Sequence, residues 1–130
     1  AAAAAGQDLL VLNTHLSFPH NAFDRRQQHT QVRTAARLLA AYAREAGLGE
    51  GAPRLVLGDF NVEGDDAALR FLRERGYRNA RESSAHFVSH LNHRGEAVGV
   101  DHVLVRAPGG ADEGKMATAA AAARLFVSSG

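Results

Sequence analysis

Leu9-Leu10-Val11-Leu12 is an unbroken apolar run that closes on the polar Asn13-Thr14-His15. Four apolar residues without alternation read as a strand buried on both faces, and the polar closure marks where it reaches solvent. The same arrangement returns at Arg54-Leu55-Val56-Leu57, which runs into Gly58-Asp59-Phe60-Asn61. Between the two, Val32, Ala35, Ala36, Leu38, Leu39 and Tyr42 recur at helical spacing, with Arg and Gln on the other face. This predicts a long helix from Asp24 or Arg25 to about Ala46, stopped by Gly47, Gly49, Gly51 and Pro53. The loop before it, Ser17 to Asp24, holds Pro19 and Asn21.

A second helix should start at Asp65-Asp66, carry Leu69, Phe71 and Leu72, and end at Gly76. A strand-like piece follows around Tyr77. His86-Phe87-Val88 and Val98–Val105 read as two further strands, with Asn92-His93-Arg94-Gly95 as the turn between them. Strand, long helix, strand, helix and short strands make a layered α/β or α+β domain. Residues 1–7 read as a disordered Ala-rich start, 8–106 as the domain, and 107–130 as a low-complexity tail with a helix-prone Ala117–Ala123.

Composition narrows the chemistry. With 130 residues there is room for one domain. Fifteen Lys+Arg against fourteen Asp+Glu leave a charge of +1, too little to steer nucleic acid or an acidic membrane globally. The absence of Cys removes disulfides, thiolate zinc sites and cysteine nucleophiles. No apolar run is long enough to span a bilayer and no secretory signal is visible, so an intracellular setting is expected.

Three polar clusters lie at strand ends: Asn13-Thr14-His15, Gly58-Asp59-Phe60-Asn61 and Asp101-His102. Side chains there are both held by a rigid scaffold and reachable from solvent. On an extended strand Asp59 and Asn61 would share one face, with Phe60 directed into the core. A carboxylate beside an amide offers hard oxygen ligands for Mg²⁺ and a donor toward a phosphate oxygen. His15 can give a proton or hydrogen bond to charge developing on phosphorus.

The segments Asn-Thr-His-Leu, Gly-Asp-Phe-Asn and Val-Asp-His-Val resemble motifs of the endonuclease/exonuclease/phosphatase (DNase I-like) superfamily. The chain is most similar to its plant and algal calcium-binding branch, through Asn13–His20, Val88–Gly95 and Gly99-Val100-Asp101. The resemblance covers roughly residues 8–106. It implies a Mg²⁺- or Mn²⁺-dependent phosphoester hydrolase, in which water attacks phosphorus in line. It also implies that His15 hydrogen-bonds the scissile phosphate. Asp59 would orient or deprotonate the water and touch the metal, and Asn61 would fix that aspartate, the phosphate and the metal. Two family positions compete for Asp101. It matches either the strand aspartate that orients a terminal histidine or, with His102, the terminal Asp-His pair itself. The first assignment is favoured and makes His102 an ordinary strand residue.

The family's N-terminal metal-binding Glu has no counterpart before the first strand, and no later Asp-His pair follows in residues 107–130. The resemblance therefore implies the C-terminal half of a four-layer αββα sandwich, with one sheet face bare of its covering half. An alternative is a non-catalytic remnant or regulatory module that keeps the fold. The partner expected is a phosphate ester of open class: nucleic acid, nucleotide, phospholipid head group or sugar phosphate.

Plainer readings stand beside these. Asp59 and Asn61 could form a turn, Asp101 could pair with an Arg in the sheet, and the helix arginines could be a solvated face. A weaker option gives Arg25 or Arg26 a phosphate. His86, His90 and His93 would share a face and suit zinc if they lay on a helix.

Overall fold

The computed structural model describes residues 8–81 and 88–108. Its elements in chain order are β1 (Leu10–His15), α1 (Ala22–Glu45), β2 (Arg54–Asp59), α2 (Ala67–Arg73), β3 (Arg78–Asn79), β4 (His90–Leu91), β5 (Ala97–Val98) and β6 (Asp101–Arg106). Four strands form one sheet in the order β1-β2-β6-β3, and β4 and β5 form a separate hairpin. β1 and β2 run parallel, as expected of strands joined by a helical crossover. β6 is antiparallel to both of its neighbours. The fold is mixed α/β. The segment 1–7, His86-Phe87 and Ala117–Ala123 lie outside the described residues.

Local chemistry sets the ends of both helices. α1 begins two residues before the predicted Asp24, because Asn21 is the N-cap and its Oδ1 accepts from the Asp24 N–H at 3.0 Å. Asp24 reciprocates by accepting from the His20 N–H at 3.1 Å. At the far end Gly47 takes a positive φ of 71°, its N–H donates to Arg44 O, and Leu48 N–H donates to Ala43 O. That pair of bonds is a Schellman stop, which glycine permits because it has no Cβ. Asp66 caps α2 by accepting from Ala68 N–H at 2.9 Å.

Gln28, Val32, Ala35, Leu39 and Ala43 form the buried stripe of α1. They pack with Leu69, Phe71 and Leu72 of α2 and with the even-numbered side of the sheet, including Leu10, Val56 and Leu104. Phe60, just past β2, is fully enclosed in this core, as the sequence predicts.

The opposite, odd-numbered face carries Val11, Leu55, Leu57, Val103 and Val105. The half-domain reading expects one sheet face to expose Leu and Val, and this face does so only in part. Val11 on the edge strand is 54% exposed, whereas Leu55, Val103 and Val105 are buried in a cluster with Ala80. Of these five side chains, Val11 on the edge strand is the exposed one.

Two strand boundaries also move. The hairpin pairs His90 with Val98 and Leu91 with Ala97, so the described strand β4 begins after Val88, while His86 and Phe87 lie outside the described residues. Asn92 nucleates the predicted turn by accepting from both Arg94 and Glu96 N–H groups. The single strand expected over Val98–Val105 is broken at Gly99-Val100. There Gly99 N–H donates to Glu63 Oε1 and Val100 O accepts from Phe60 N–H, and both bonds turn the chain into β6.

His102 points to the helix side and is buried. Its Nε2 donates to Val62 O at 2.8 Å, which leaves Nδ1 to accept from Asn79 Nδ2 at 2.9 Å. Burial pushes its pKa below the ordinary value of 6.5, outweighing the opposing pull of the Val62 bond and the Asp101 charge. The unfolded chain therefore takes up a proton at higher pH than the fold does. Stability should be full above about pH 6.5 and decline as the pH falls from there through the lowered folded value. Urea unfolding at pH 7.5 and 5.0 checks this, and the loss should shrink in a His102→Gln variant.

Gly58 makes the tightest demand on sequence. It sits opposite Thr14 at a φ of +136°, and a Cβ there would overlap the Thr14 carbonyl oxygen and come within 2.9 Å of Asn13 Oδ1. Gly47 also has a positive φ, but open space surrounds it. Gly47→Ala should cost about 1 kcal/mol for backbone strain alone. Gly58→Ala should cost about 3 kcal/mol or more, because β1 and β2 must also separate. Paired urea midpoints test the difference.

Candidate functional site

Strand register assembles the site. His15 lies opposite Asp59 across β1 and β2, and Asp59 lies opposite Asp101 across β2 and β6. Residues directly opposite in a sheet project from the same face, so the three side chains form a row across adjacent strands spaced about 4.8 Å apart. The row sits on the odd-numbered face, at the end where β1 and β2 terminate and β6 begins.

His15 is the open member, with 74% of its side chain exposed and Nε2 3.6 Å from Asp59 Oδ2. Asp59 is 28% exposed, and its Oδ1 accepts from the Asn61 backbone N–H at 2.8 Å. One carboxylate oxygen is thus fixed by the chain, while the other faces His15.

Asn61 departs from the sequence expectation. β2 ends at Asp59, so Asn61 shares no strand face with it. Instead Asn61 adopts a left-handed φ of 52°, a conformation that Asn tolerates better than most residues. Its Nδ2 donates to Leu16 O at 2.6 Å, which ties the exit of β2 to the exit of β1. Its Oδ1 accepts no hydrogen bond from the described residues. Beneath these loops the buried Gln28 donates from Nε2 to Ser17 O at 2.7 Å and to Phe60 O at 3.3 Å. A polar residue at a core position of α1 is the one sequence signal that could have marked it.

Asp101 has a partner that the sequence reading did not assign. His90 Nδ1 lies 3.2 Å from Asp101 Oδ2. A carboxylate only accepts, so the ring proton in this bond sits on Nδ1. Ser89 orders the same corner, its Oγ accepting from the Val100 and Asp101 N–H groups and donating to Val98 O. The Asp101 partner that the structure shows is therefore a histidine from the β4–β5 hairpin. The helix that the zinc reading requires is not formed at His90, which lies on a strand, or at His93, which lies in a turn, and His86 lies outside the described residues. Arg25 is drawn toward the Asp66 cap at 4.0 Å.

The donors present fit a hard divalent cation in kind. The Asp59 carboxylate, with Asn61 Oδ1 beside it, supplies oxygen, and Asp101 places a second carboxylate on the neighbouring strand. No group of three or more His, Asp or Glu that could hold a metal occurs among the described residues. An ion held by one or two carboxylates would keep several waters, as Mg²⁺ does.

Comparisons with other proteins agree with this architecture. The chain is similar to truncated TDP2 of Caenorhabditis elegans, with 18% identity and a TM-score of 0.50, over 80% of this chain and 43% of that one. A second crystal structure of C. elegans TDP2, the selenomethionine form, gives 17% identity and a TM-score of 0.50, over 79% and 33% of the respective chains. In sequence, it is 34% identical over 110 residues to an uncharacterized calcium-binding protein of Arabidopsis thaliana. That match takes in 78% of this chain and 22% of the relative, so the chain spans about a fifth of the relative's length. Residues 15–116 match the model of the Endonuclease/Exonuclease/phosphatase family, a span that begins at His15 and includes Asp59, Asn61 and Asp101, and the chain belongs to that family.

Proposed function

We propose that the row at the strand ends is part of a metal-dependent phosphoester hydrolase site. The observation that supports this most is the register of β1, β2 and β6, which sets His15, Asp59 and Asp101 side by side on one face. A phosphate ester lying over the row would meet a hydrogen-bond donor at His15 and a carboxylate base at Asp59. Asn61 holds Asp59 Oδ1 through its backbone N–H, so Oδ2 is left to orient a water for attack. Asp101 acts on the row through its histidine partner, whose ring its carboxylate orients.

Asp59 and Asn61 are the residues that would hold Mg²⁺ or Mn²⁺. Such an ion, when bound, neutralises charge on the phosphoryl oxygens. We read the sheet as one of two in a four-layer sandwich, in the calcium-binding branch of the family, with the exposed Val11 edge on the side of the second sheet. On that reading this chain contributes the C-terminal half of the domain. The substrate class within the phosphate esters stays open.

Two measurements test the proposal. Mg²⁺-dependent hydrolysis of bis-p-nitrophenyl phosphate should fall by about 10²- to 10⁴-fold in Asp59→Ala. Equal rates would remove Asp59 from the mechanism. Independently of turnover, Mn²⁺ should broaden the NMR signals of residues 59–61 first, and Asp59→Ala should abolish that selectivity. Ca²⁺ enters as a comparison ion because the Arabidopsis relative is described as calcium-binding. Selective broadening without any hydrolysis would favour the non-catalytic alternative.

A further inference from the structure

At the other end of the same strands lies a cavity of about 670 Å³, between α1, the end of α2 and the sheet. Its size falls within the range of small-ligand sites. Arg33, Arg37, Arg54, Arg75 and Arg106 line it together with Tyr77. Arg54 and Arg106 are directly opposite each other in the β2–β6 pairing, as Asp59 and Asp101 are at the far end. Arg54 is five residues from Asp59 along β2, which separates the two places by roughly 16 Å.

The cavity is built around a buried guanidinium. The Arg54 side chain is only 5% exposed, yet its Nε and Nη2 find no hydrogen-bond acceptor among the described residues. Nη2 has Glu50 Oε2 at 3.5 Å as an ion pair. Glu50 is 75% exposed and is shared with Arg106, whose Nη2 lies 3.9 Å from the same oxygen and donates to Glu50 O at 3.1 Å. Of the five guanidinium groups lining the cavity, Arg54 and Arg106 share the solvent-facing Glu50, and no ion pair reaches Arg33, Arg37 or Arg75 from the described residues. A buried charge with unmet donors is costly unless an anion completes it.

Two of the other lining groups, Arg75 and Tyr77, are held in place. Arg75 stacks over the Phe71 ring at 3.4 Å and donates to Phe71 O, so its plane is fixed at the cavity wall. Tyr77 is buried beside Arg54 and Arg106. Burial raises its pKa despite both cations, so its hydroxyl keeps its proton and can donate. Rigid arginine forks and a neutral hydroxyl suit the oxygens of phosphate groups.

We propose that this pocket binds a small ligand bearing two or more phosphate groups, at a place separate from the His15–Asp59–Asp101 row. One phosphate would leave much of the cationic surplus unmatched, while two or three adjacent phosphates would meet it.

Calorimetry with the full chain, in chelator and physiological salt, tests this with orthophosphate, pyrophosphate and tripolyphosphate as probes. Affinity should rise along that series. The paired Arg33→Gln and Arg37→Gln substitutions, on the exposed rim of α1 where the core is not disturbed, should weaken tripolyphosphate about tenfold. Glu50→Gln should tighten it, and Asp59→Ala should leave it unchanged. Circular dichroism confirms that each variant is folded. Absence of tripolyphosphate binding by the folded protein overturns the proposal. So does binding that Asp59→Ala removes and the arginine substitutions spare. A short single-stranded oligonucleotide binding at least as tightly as tripolyphosphate would overturn the small-ligand assignment.

Discussion

The close approach of β1 to β2 at Thr14 and Gly58 is the constraint on which the reactive end of the molecule depends. The two backbones meet where only a residue without a Cβ fits. The very next pair in the register is His15 and Asp59, and across β2 the partner of Asp59 is Asp101. A side chain at position 58 would push β1 outward and tilt the first member of the row away from the second. Distances at the site are thus set by backbone packing, and the loops beyond the strands add refinement. Asn61 and Gln28 supply that refinement by tying the two strand exits to each other and to α1.

Strand alternation then divides the polar residues between two tasks. Odd positions of β1, β2 and β6 put His15, Asp59 and Asp101 on the face away from the helices. Even positions put Val56, Leu104 and His102 into the core beneath α1 and α2. Asp101 and His102 are neighbours in sequence and belong to opposite sides of the sheet. His102 has both ring nitrogens occupied and a depressed pKa, so it is a neutral structural crosslink between Val62 and Asn79. The histidine that meets Asp101 is His90, eleven residues earlier, brought in by the hairpin and by the Ser89 hydroxyl.

Much of this could be read from the chain. The apolar runs at Leu9–Leu12 and Leu55–Leu57 located β1 and β2, helical spacing located α1, and Gly47 located its stop. Polar residues at the run ends marked the row, because a buried strand that turns polar must be reaching the surface. Pairings that depend on tertiary geometry were hidden. Nothing local distinguishes the His90 contact to Asp101 from a zinc-ligand spacing, since both are statements about His in a polar stretch. Asn61 was misplaced because a strand was assumed to continue for two residues past its true end. The arginines of α1 read as a solvated face, and Arg33 and Arg37 are indeed exposed, but they also border the cavity that Arg54 underlies. Helical periodicity reports which residues avoid the core, and it is silent on what a neighbouring strand presents to them.

One pairing frame therefore carries opposite charge at its two ends. β2 and β6 join Asp59 to Asp101 at one end and Arg54 to Arg106 at the other. Placing like charges directly opposite each other is unfavourable in a sheet. Both pairs persist in this fold, and each recruits neighbours that answer it. His15 and His90 flank the carboxylates, and Glu50 reaches over the guanidinium groups from the preceding loop. The answer is partial in both cases. His15 and Glu50 are largely solvent-exposed, and screening by water limits what such contacts contribute. Residual charge of each sign is consequently held on these strands, part-exposed at the carboxylates and lining the cavity at the guanidinium groups. The length of two six-residue strands is enough to keep the two charged pairs apart.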